Sequence, residues 1–425
     1  MTKVTAFFSH VQLARWLSIR AGEGARLAVS FLAFFLLLTS YYMVRPVRDA
    51  LAAGLPKGEI PRLALIVFAV MLAVVPLFGA MVARVRRNRL VPLTYGFFIS
   101  HLLIFAWVFA QAGATVWAGR AFYIWITVYN LFVVSVFWSF MTDTWSREQA
   151  GRVFGVVAAA GSVGGLLGPL LTQGIVEIAG LSGVTLLAAL LLSGVLACIL
   201  WLSASAGHAA TGREPPVGGT FLAGMTLLFR TPFLLGIAGL VLLSSVAGMI
   251  AYNEIARLVK ATYSTPELRT VFFSRWDLGV NLSALLLAFL FSRVAKRVGV
   301  GGTLVLTSLL GAASFVLVVV QPTLAMLGLS NCARRAMEFG MAKPARDSLY
   351  SVADAESRYK AKNAIDTAVY RGGDVLGSQL HGALSAGGLG LAGLSALAGG
   401  VALMMTGVAY ATGRGYRARG ASGKE

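Results

Sequence analysis

The sequence contains few charged residues, few cysteines and few histidines, and each shortage argues against a class of protein. Charged residues make up 12% of the 425 residues, with 17 acidic against 36 basic, whereas soluble domains average about 25%. The two cysteines, Cys198 and Cys332, fit neither a disulfide framework nor a metal-ligand spacing. The four histidines give no metal-ligand spacing either. We therefore expect no metal site and no cofactor.

A phosphate-binding loop is also missing. No G-x4-GK-[ST] string occurs anywhere in the chain, and that string forms the loop by which many ATP-hydrolysing proteins hold the nucleotide. This absence argues against a pump driven by ATP hydrolysis and against an enzyme of that kind.

Long apolar segments are abundant instead. Hydrophobic residues make up 57% of the chain, and its mean hydropathy is +0.78. A helix needs roughly 20 apolar residues to cross a bilayer. Twelve segments have about this length: 26–44, 61–83, 90–112, 120–142, 152–178, 182–203, 231–256, 269–292, 300–320, 322–342, 364–386 and 389–412. Since barrel strands would alternate with a period of two, the sequence predicts an all-α membrane protein with twelve transmembrane helices.

The basic residues indicate the orientation in the membrane. Clusters at 84–89 and 293–297 follow even-numbered segments, whereas the gaps 113–119, 179–181 and 387–389 contain no Lys or Arg. Cytoplasmic loops carry an excess of basic residues, so both termini are predicted to lie in the cytoplasm, with the chain in a bacterial inner membrane. Arg45–Lys57 and Arg257–Arg269 are exceptions on the outer side. The net charge of +19 is explained by loops beside anionic lipid, and no nucleic-acid polymer is expected as a partner.

Five regions follow from this pattern. They are a cytoplasmic amphipathic lead at 1–25, a six-helix bundle at 26–203, a cytoplasmic linker at 204–230, a second six-helix bundle at 231–412, and a cytoplasmic tail at 413–425. The short segment 221–230 is apolar with a basic end and is predicted to lie along the membrane surface.

The two bundles show a weak internal repeat. Arg84 and Arg293 begin similar basic strings at an offset of 209 residues, and Asp143 and Asp354 precede equivalent helices at an offset of 211. Two parallel six-helix halves are typical of major facilitator transporters. We therefore predict that fold.

Charged residues inside the predicted spans are the main functional signal. An ionised side chain at the bilayer centre costs about 2.5–3.5 kcal/mol on insertion scales, so such residues usually line a wet cavity or pair with one another. The candidate substrate-binding residues are Arg45, Arg48, Asp49, Glu254, Arg275, Asp277, Arg334, Arg335, Glu338, Lys362, Asp366, Tyr370, Arg371 and Asp374. They concentrate on spans one, seven, eight, ten and eleven, a set that can line a central path. Since guanidinium groups match carboxylate and phosphate geometry, an anionic substrate is predicted.

Two other interpretations of these residues remain open. Arg334 with Glu338, and Asp366 with Arg371, could be architectural ion pairs. Alternatively Glu254, Asp277 and Asp374 could couple transport to protons, because desolvation raises the pKa of a carboxyl group. The aromatic side chains of Trp138, Trp276 and Tyr370 are candidates for stacking on a nucleobase and are equally suited to packing.

Span five is rich in small residues that permit close helix packing or gating. It contains Gly161, Gly164, Gly165, Gly168 and Pro169. Glycines let a neighbouring helix approach closely, and proline permits bending. The string GSVGGLLGP at 161–169 is similar to the glycine and proline motif of major facilitator antiporters.

Four strings resemble a known family. They are RPVRDAL at 45–51, FWSF at 137–140 followed by Asp143 and RVF at 152–154, KPARD at 343–347, and YKAKNAID at 359–366. Together they resemble the nucleotide translocases, which exchange ATP for ADP or NTP for NDP, and suggest a divergent member. The resemblance implies that Arg48 and Lys362 contact phosphate oxygens and that Glu254 sets specificity or gating.

The sequence as a whole predicts a secondary active transporter that works by alternating access on a small anionic solute, with nucleotide or phosphate exchange as one form of that activity. A generic solute or drug exporter is the alternative within this class. A membrane scaffold or sensor that kept the fold without transporting is the alternative outside it. The expected partners are the substrate and the lipid bilayer, and a monomer is one possible oligomeric state.

Overall fold

The computed structural model describes residues 23–84, 87–205, 221–352 and 361–422. The predicted lead before residue 23, most of the linker and the Asp354 string lie outside these residues. Within them the chain is helical and contains no β-strand. The prediction of an all-α fold is confirmed.

The first six helices follow the first six predicted spans. They are α1 (Gly24–Gly54), α2 (Glu59–Arg84), α3 (Arg87–Ala112), α4 (Val116–Thr144), and α5 and α6, which share the stretch Arg147–Ser205. Gly180 separates α5 from α6 with a φ of 61°. Glycine adopts this left-handed conformation without the steric cost that a Cβ would add. A tight turn therefore replaces a loop between these two helices.

The remaining helices follow a separate short helix, Phe221–Arg230. They are α7 (Pro232–Thr262), α8 and α9, which share Pro266–Val320 and meet at Gly299, α10 from Leu324 to Leu349, α11 from 361 to Ala386, and α12 (Leu391–Ser422). Gly299 has a φ of 76°, so a glycine turn also joins α8 to α9. The helix α12 continues through most of the predicted tail.

The helices also match the length that a membrane requires. Eight helical stretches among the described residues are long and apolar enough to cross one, and two of these, Glu148–Ser205 and Pro266–Val320, each contain two helices. The remaining two predicted spans, 322–342 and 364–386, correspond to α10 and α11, which contain much of the intramembrane charge. The twelve predicted spans therefore each correspond to a helix.

Both charged helices contain a π-helical segment. In α10 this segment is Glu338–Ala342, and in α11 it is Ile365–Val369. Such single wide turns are rare and are frequent at functional sites. Here they lie beside the charged residues Glu338 and Asp366.

Contacts divide the chain into two compact units. The first contains the described residues of Met1–Val47, Leu77–Ala118 and Trp125–Glu214, and the second those of Arg48–Pro76, Gly119–Ile124 and Pro215–Glu425. The second unit therefore includes the end of α1, most of α2 and a short piece of α4 together with α7 to α12.

The first unit is held together by close packing of α5 on α1. A Cβ on Gly164 would lie 2.6 Å from the Phe35 carbonyl oxygen, and one on Gly168 would lie 2.8 Å from that of Thr39. These contacts require glycine, because only a missing side chain lets the backbones approach so closely. Gly161 meets the Phe34 ring in the same way, and Pro169 lies within the helix. Trp138 packs against Phe34, Phe137 and Phe154.

The second unit repeats this contact between α11 and α7. A Cβ on Gly373 would lie 2.7 Å from Ser245 Cβ, and one on Gly377 would lie 2.5 Å from the Val246 carbonyl oxygen. Gly373 and Gly377 follow Gly164 and Gly168 by 209 residues, the offset that the basic strings also show. The packing thus supports the internal repeat independently of charge.

Large apolar side chains cover the outer faces of individual helices. Ile178, Val320 and Phe289 are 85%, 79% and 69% exposed. Extended exposed apolar surface of this kind fits contact with lipid tails rather than with water. The chain is a multi-pass membrane protein.

Candidate functional site

The predicted site residues in the interior of the second unit lie on α7, α8, α10 and α11 and at the end of α1. Most of them fall into two clusters, around Asp49 and Glu338, and two smaller groups, around Asp277 and Glu254.

The first cluster surrounds Asp49, which is 1% exposed. Asp49 Oδ1 accepts hydrogen bonds from Arg48 Nε at 2.9 Å, from Arg48 Nη2 at 2.6 Å and from the Tyr252 hydroxyl at 2.9 Å. The Arg48 guanidinium lies 5.6 Å from the centre of the Tyr123 ring. The buried Asp49 carboxylate therefore joins α1 to α7, and the Arg48 guanidinium contacts α4.

An ion pair on α11 completes this cluster. Arg371 Nη1 lies 3.1 Å from Asp374 Oδ2, and the Ser245 hydroxyl donates to Asp374 Oδ1. Asp374 interacts electrostatically with Arg48 as well as with Arg371. We call Arg48, Asp49, Tyr252, Arg371 and Asp374 the Asp49 cluster. The ion pair between Arg371 and Asp366, one of the alternatives from the sequence, does not form. Arg371 pairs instead with Asp374, three residues later on α11.

The second cluster lies around Glu338 on α10. Glu338 Oε1 accepts from Arg346 Nη1 at 2.8 Å, and Glu338 Oε2 accepts from the Ser244 hydroxyl at 3.0 Å. Arg334, one helical turn before Glu338, instead donates to Asn331 Oδ1 at 3.0 Å. The partner of Glu338 is thus Arg346, a residue of the KPARD string that sequence analysis did not select.

We call Glu338, Arg346 and Ser244 the Glu338 cluster. A small cavity adjoins it. Its lining comes from α7, α9, α10 and α12, and it has room for little more than a water molecule. The polar lining residues are Ser244, Thr307, Ser308, Arg334 and Glu338, and Met337, Met405, Ala247 and Ala402 supply apolar surface. Ser244 precedes Ser245, which donates to Asp374 of the Asp49 cluster, so neighbouring residues of α7 contact the two clusters.

Lys362 lies at the exposed side of the Glu338 cluster. Its Nζ is 2.8 Å from Asp347 Oδ1, with the two side chains 43% and 41% exposed. Its ammonium group is also 5.7 Å from the ring of Tyr350, which follows the end of α10. Burial, followed by the charge of Asp366, raises the pKa of Tyr350 above its ordinary value. The phenol therefore stays neutral beside Lys362.

Asp277 and Arg335 form a separate pair between α8 and α10. Asp277 is fully buried, and its Oδ1 is 3.5 Å from Arg335 Nη1. The Arg335 guanidinium also lies 4.8 Å from the centre of the Trp276 ring. In this conformation Trp276 stacks on Arg335 within the protein.

Glu254 has partners on both α7 and α11. Arg257 donates to it through Nε at 3.0 Å and through Nη2, and His381 Nε2 lies 2.9 Å from Glu254 Oε2. Both Glu254 and His381 are buried. Nothing in the sequence spacing connects His381 to Glu254, because 127 residues separate them.

Of the other predicted residues, Arg275 and Arg45 lie apart from these groups, and Tyr370 contacts the Asp49 cluster through Arg371. Arg275 is on an exposed face of α8 and has no ion pair or hydrogen bond among the residues that the structure describes. Arg45 belongs to the first unit, where it lies 5.7 Å from the Tyr42 ring. Tyr370 is 43% exposed and lies 5.5 Å from the Arg371 guanidinium. Over the described ranges, no three His, Cys, Asp or Glu side chains come together as a metal site.

Comparisons with known proteins identify the fold. A POT family transporter in complex with 5-aminolevulinic acid is similar with a TM-score of 0.65 and 14% identity over 92% of this chain and 96% of that one. The same values apply to a POT family transporter in complex with a thioalcohol-conjugated peptide. A bacterial homolog of the human lysosomal transporter Spinster, inward-facing and unoccupied, gives a TM-score of 0.57 and 12% identity over 94% and 97%.

These similarities confirm the predicted major facilitator type of fold. No family model and no curated protein sequence matches the chain. None of the three similar structures is described as a nucleotide translocase, so that part of the sequence-based interpretation remains a prediction.

Proposed function

We propose that this protein is a secondary active transporter that moves a small anionic solute across the membrane by alternating access. The fold supports transport in general, because the similar structures are transporters described with small molecules bound or with an empty inward-facing state. Nucleotide or phosphate exchange is the finer form of the proposal and rests on the sequence resemblance.

The observation that carries the proposal is the line-up of buried charged side chains on α1, α7, α8, α10 and α11 within one unit. A buried ion pair often contributes no more stability than apolar residues of the same volume. In a membrane helix such residues usually mark a substrate or ion path. In the Asp49 and Glu338 clusters, side-chain hydroxyls of α7 donate to carboxylates on other helices, and the Asp277–Arg335 ion pair joins α8 to α10. Contacts of this kind can break and re-form, which suits a protein that changes conformation during each cycle.

The line-up also suits an anionic passenger. Arg48, Arg334, Arg346 and Arg371 all present guanidinium groups to the interior of the second unit. In this conformation Arg48 is bound to Asp49 and Lys362 to Asp347. On substrate binding, each of these two basic residues would release its carboxylate partner and contact a substrate oxygen instead. The carboxylate and the anionic substrate would therefore compete for the same basic group.

Transport assays distinguish this function from its alternatives. Purified protein in proteoliposomes is expected to take up an anion from a panel of labelled ATP, ADP, phosphate, carboxylates, and neutral and cationic solutes. Uptake of neutral or cationic solutes alone would favour the generic exporter. Absence of any uptake in a correctly folded preparation would favour a scaffold or sensor.

Variants of the two proposed contact residues test the phosphate assignment. Arg48→Ala and Lys362→Ala should each reduce anion uptake tenfold or more per folded molecule. Because Arg48→Ala leaves the buried Asp49 without its cation, uptake is compared at equal amounts of folded protein. The matched control is Arg293→Gln, which removes an exposed basic residue of α8 and should leave uptake as in the wild type. Unchanged uptake in both alanine variants would contradict the assignment.

A further inference from the structure

Arg334 packs beside two glycines, and the space beside its guanidinium depends on one of them, Gly248. A Cβ on Gly248 of α7 would lie 3.1 Å from Arg334 Nη2, and one on Gly311 of α9 would lie 3.8 Å from Arg334 Cγ. The guanidinium therefore enters the small cavity between α7, α9, α10 and α12, where it is a lining group.

The hydrogen bonding of Arg334 is incomplete. Its contact with Asn331 Oδ1 uses one of five N–H donors, and its buried Nε has no partner. No carboxylate lies within 4.0 Å of the guanidinium in the part of the chain that the structure describes. An unpaired buried charge is expensive, and a buried guanidinium is normally held by an anion.

The local charge does not cancel. Glu338 is already bound by Arg346 and Ser244, and the nearby Arg371 is bound by Asp374. Asp347 and Asp366 are exposed, where solvent screens their charge. The interior group of Arg334, Glu338 and Arg346 therefore has one positive charge in excess.

We infer that Arg334 is the anchor of an anion subsite, and that the cavity takes a compact oxyanion group, either a carboxylate or a phosphate. This inference rests on the proposed function for its biological meaning and names the place where the anionic solute is held. Met337 and Met405 supply part of the apolar lining of the cavity. Methionine side chains adapt readily to a changed volume, so they can make room for a group larger than water.

Thermal unfolding of the purified full-length protein in detergent tests the subsite without transport. Sodium phosphate and sodium acetate are titrated separately, with sodium chloride holding the ionic strength constant. The wild type should show a saturable rise in its unfolding temperature with one or both oxyanions, because a ligand that binds only the folded state stabilises it. A larger rise in unfolding temperature with phosphate than with acetate would indicate a phosphate subsite, and a larger rise with acetate would indicate a carboxylate subsite.

Three variants make the test specific. Arg334→Gln should lose the oxyanion response and, without oxyanion, should unfold at the same or a higher temperature than the wild type, because it removes an uncompensated charge. Gly248→Val keeps the charge but fills the space beside the guanidinium, and should weaken the apparent affinity at least tenfold. Arg293→Gln should respond as the wild type does. A wild-type response retained in Arg334→Gln, or the lack of any response in the wild type, would overturn the subsite.

Failure of the subsite can be told from failure of the transport proposal. An oxyanion response that depends on Arg334 in a protein that transports nothing would leave the subsite standing and remove the transport function. Anion uptake by a protein whose unfolding temperature shows no oxyanion response dependent on Arg334 would remove the subsite and leave the transport function standing. Repeating the titration in nanodiscs with and without phosphatidylglycerol separates the sources, since competition by the anionic lipid would assign the site to a headgroup rather than to a free solute.

Discussion

At the residue scale, the partner of each charged side chain determines what its loss would cost. Glu338 and Arg346 are 18% and 12% exposed and pair at 2.8 Å, whereas Asp347 and Lys362 pair at the same distance but are 41% and 43% exposed. Removing one partner of a buried pair leaves an uncompensated charge, while an exposed pair is screened. The two pairs therefore provide a matched comparison within one region.

We predict opposite sensitivities for the two carboxylates. Glu338→Gln should destabilise the protein by about 3–5 kcal/mol, because it leaves Arg346 and Arg334 together without a carboxylate. Asp347→Asn should change stability by about 1 kcal/mol or less. Thermal unfolding in detergent measures both, and equal effects would contradict the assignment of Glu338 to an interior cluster.

At the element scale, glycine contacts hold α5 on α1 and α11 on α7. The same two positions, separated by 209 residues, make the contact in each unit. Gly372, next to Gly373 on α11, would place a Cβ with nothing within 4 Å. The helix contact, rather than glycine content as such, is therefore what these positions provide.

Alanine substitutions on α11 should separate the effect of the helix–helix contact from the effect of helix propensity. Gly377→Ala places a Cβ 2.5 Å from the Val246 carbonyl oxygen and should destabilise the protein by about 1–3 kcal/mol through overpacking. Gly372→Ala meets open space and should be neutral or stabilising by up to about 1 kcal/mol, because alanine favours the helix. If Gly377→Ala were as stable as Gly372→Ala, α7 and α11 would not be in close contact.

At the scale of the whole molecule, the distribution of basic residues sets the expected orientation. The gap before α4 lacks Lys and Arg, whereas the residues around the α8–α9 turn include Arg293, Lys296 and Arg297. Since cytoplasmic loops are enriched in basic residues, these two connections should lie on opposite sides of the membrane.

Cysteine labelling in intact cells tests the orientation. In a background with Cys198→Ser and Cys332→Ser, Ala114→Cys should react with a membrane-impermeant maleimide added outside, and Lys296→Cys should react only after the cells are opened. Both positions are exposed on the protein surface, so access depends on the side of the membrane. The reverse pattern would place both termini outside.

The sequence alone determined the number and position of the helices. A hydrocarbon layer satisfies no backbone hydrogen bonds, so each crossing must be an apolar helix of about 20 residues, and that length can be counted directly. The repeat offset was also visible in the basic strings. The glycines of span five predicted close packing but not which helix would fill the space.

Only the tertiary structure decided which charges meet. Arg334 and Glu338 are correctly spaced for a pair on one helix, yet Glu338 binds Arg346 across a π-helical turn, and Arg334 faces a cavity instead. Glu254 and His381 are joined because α7 and α11 pack through glycines. A long charged side chain can reach several neighbours, and its partner depends on helix rotation and on which helices touch, neither of which local spacing specifies.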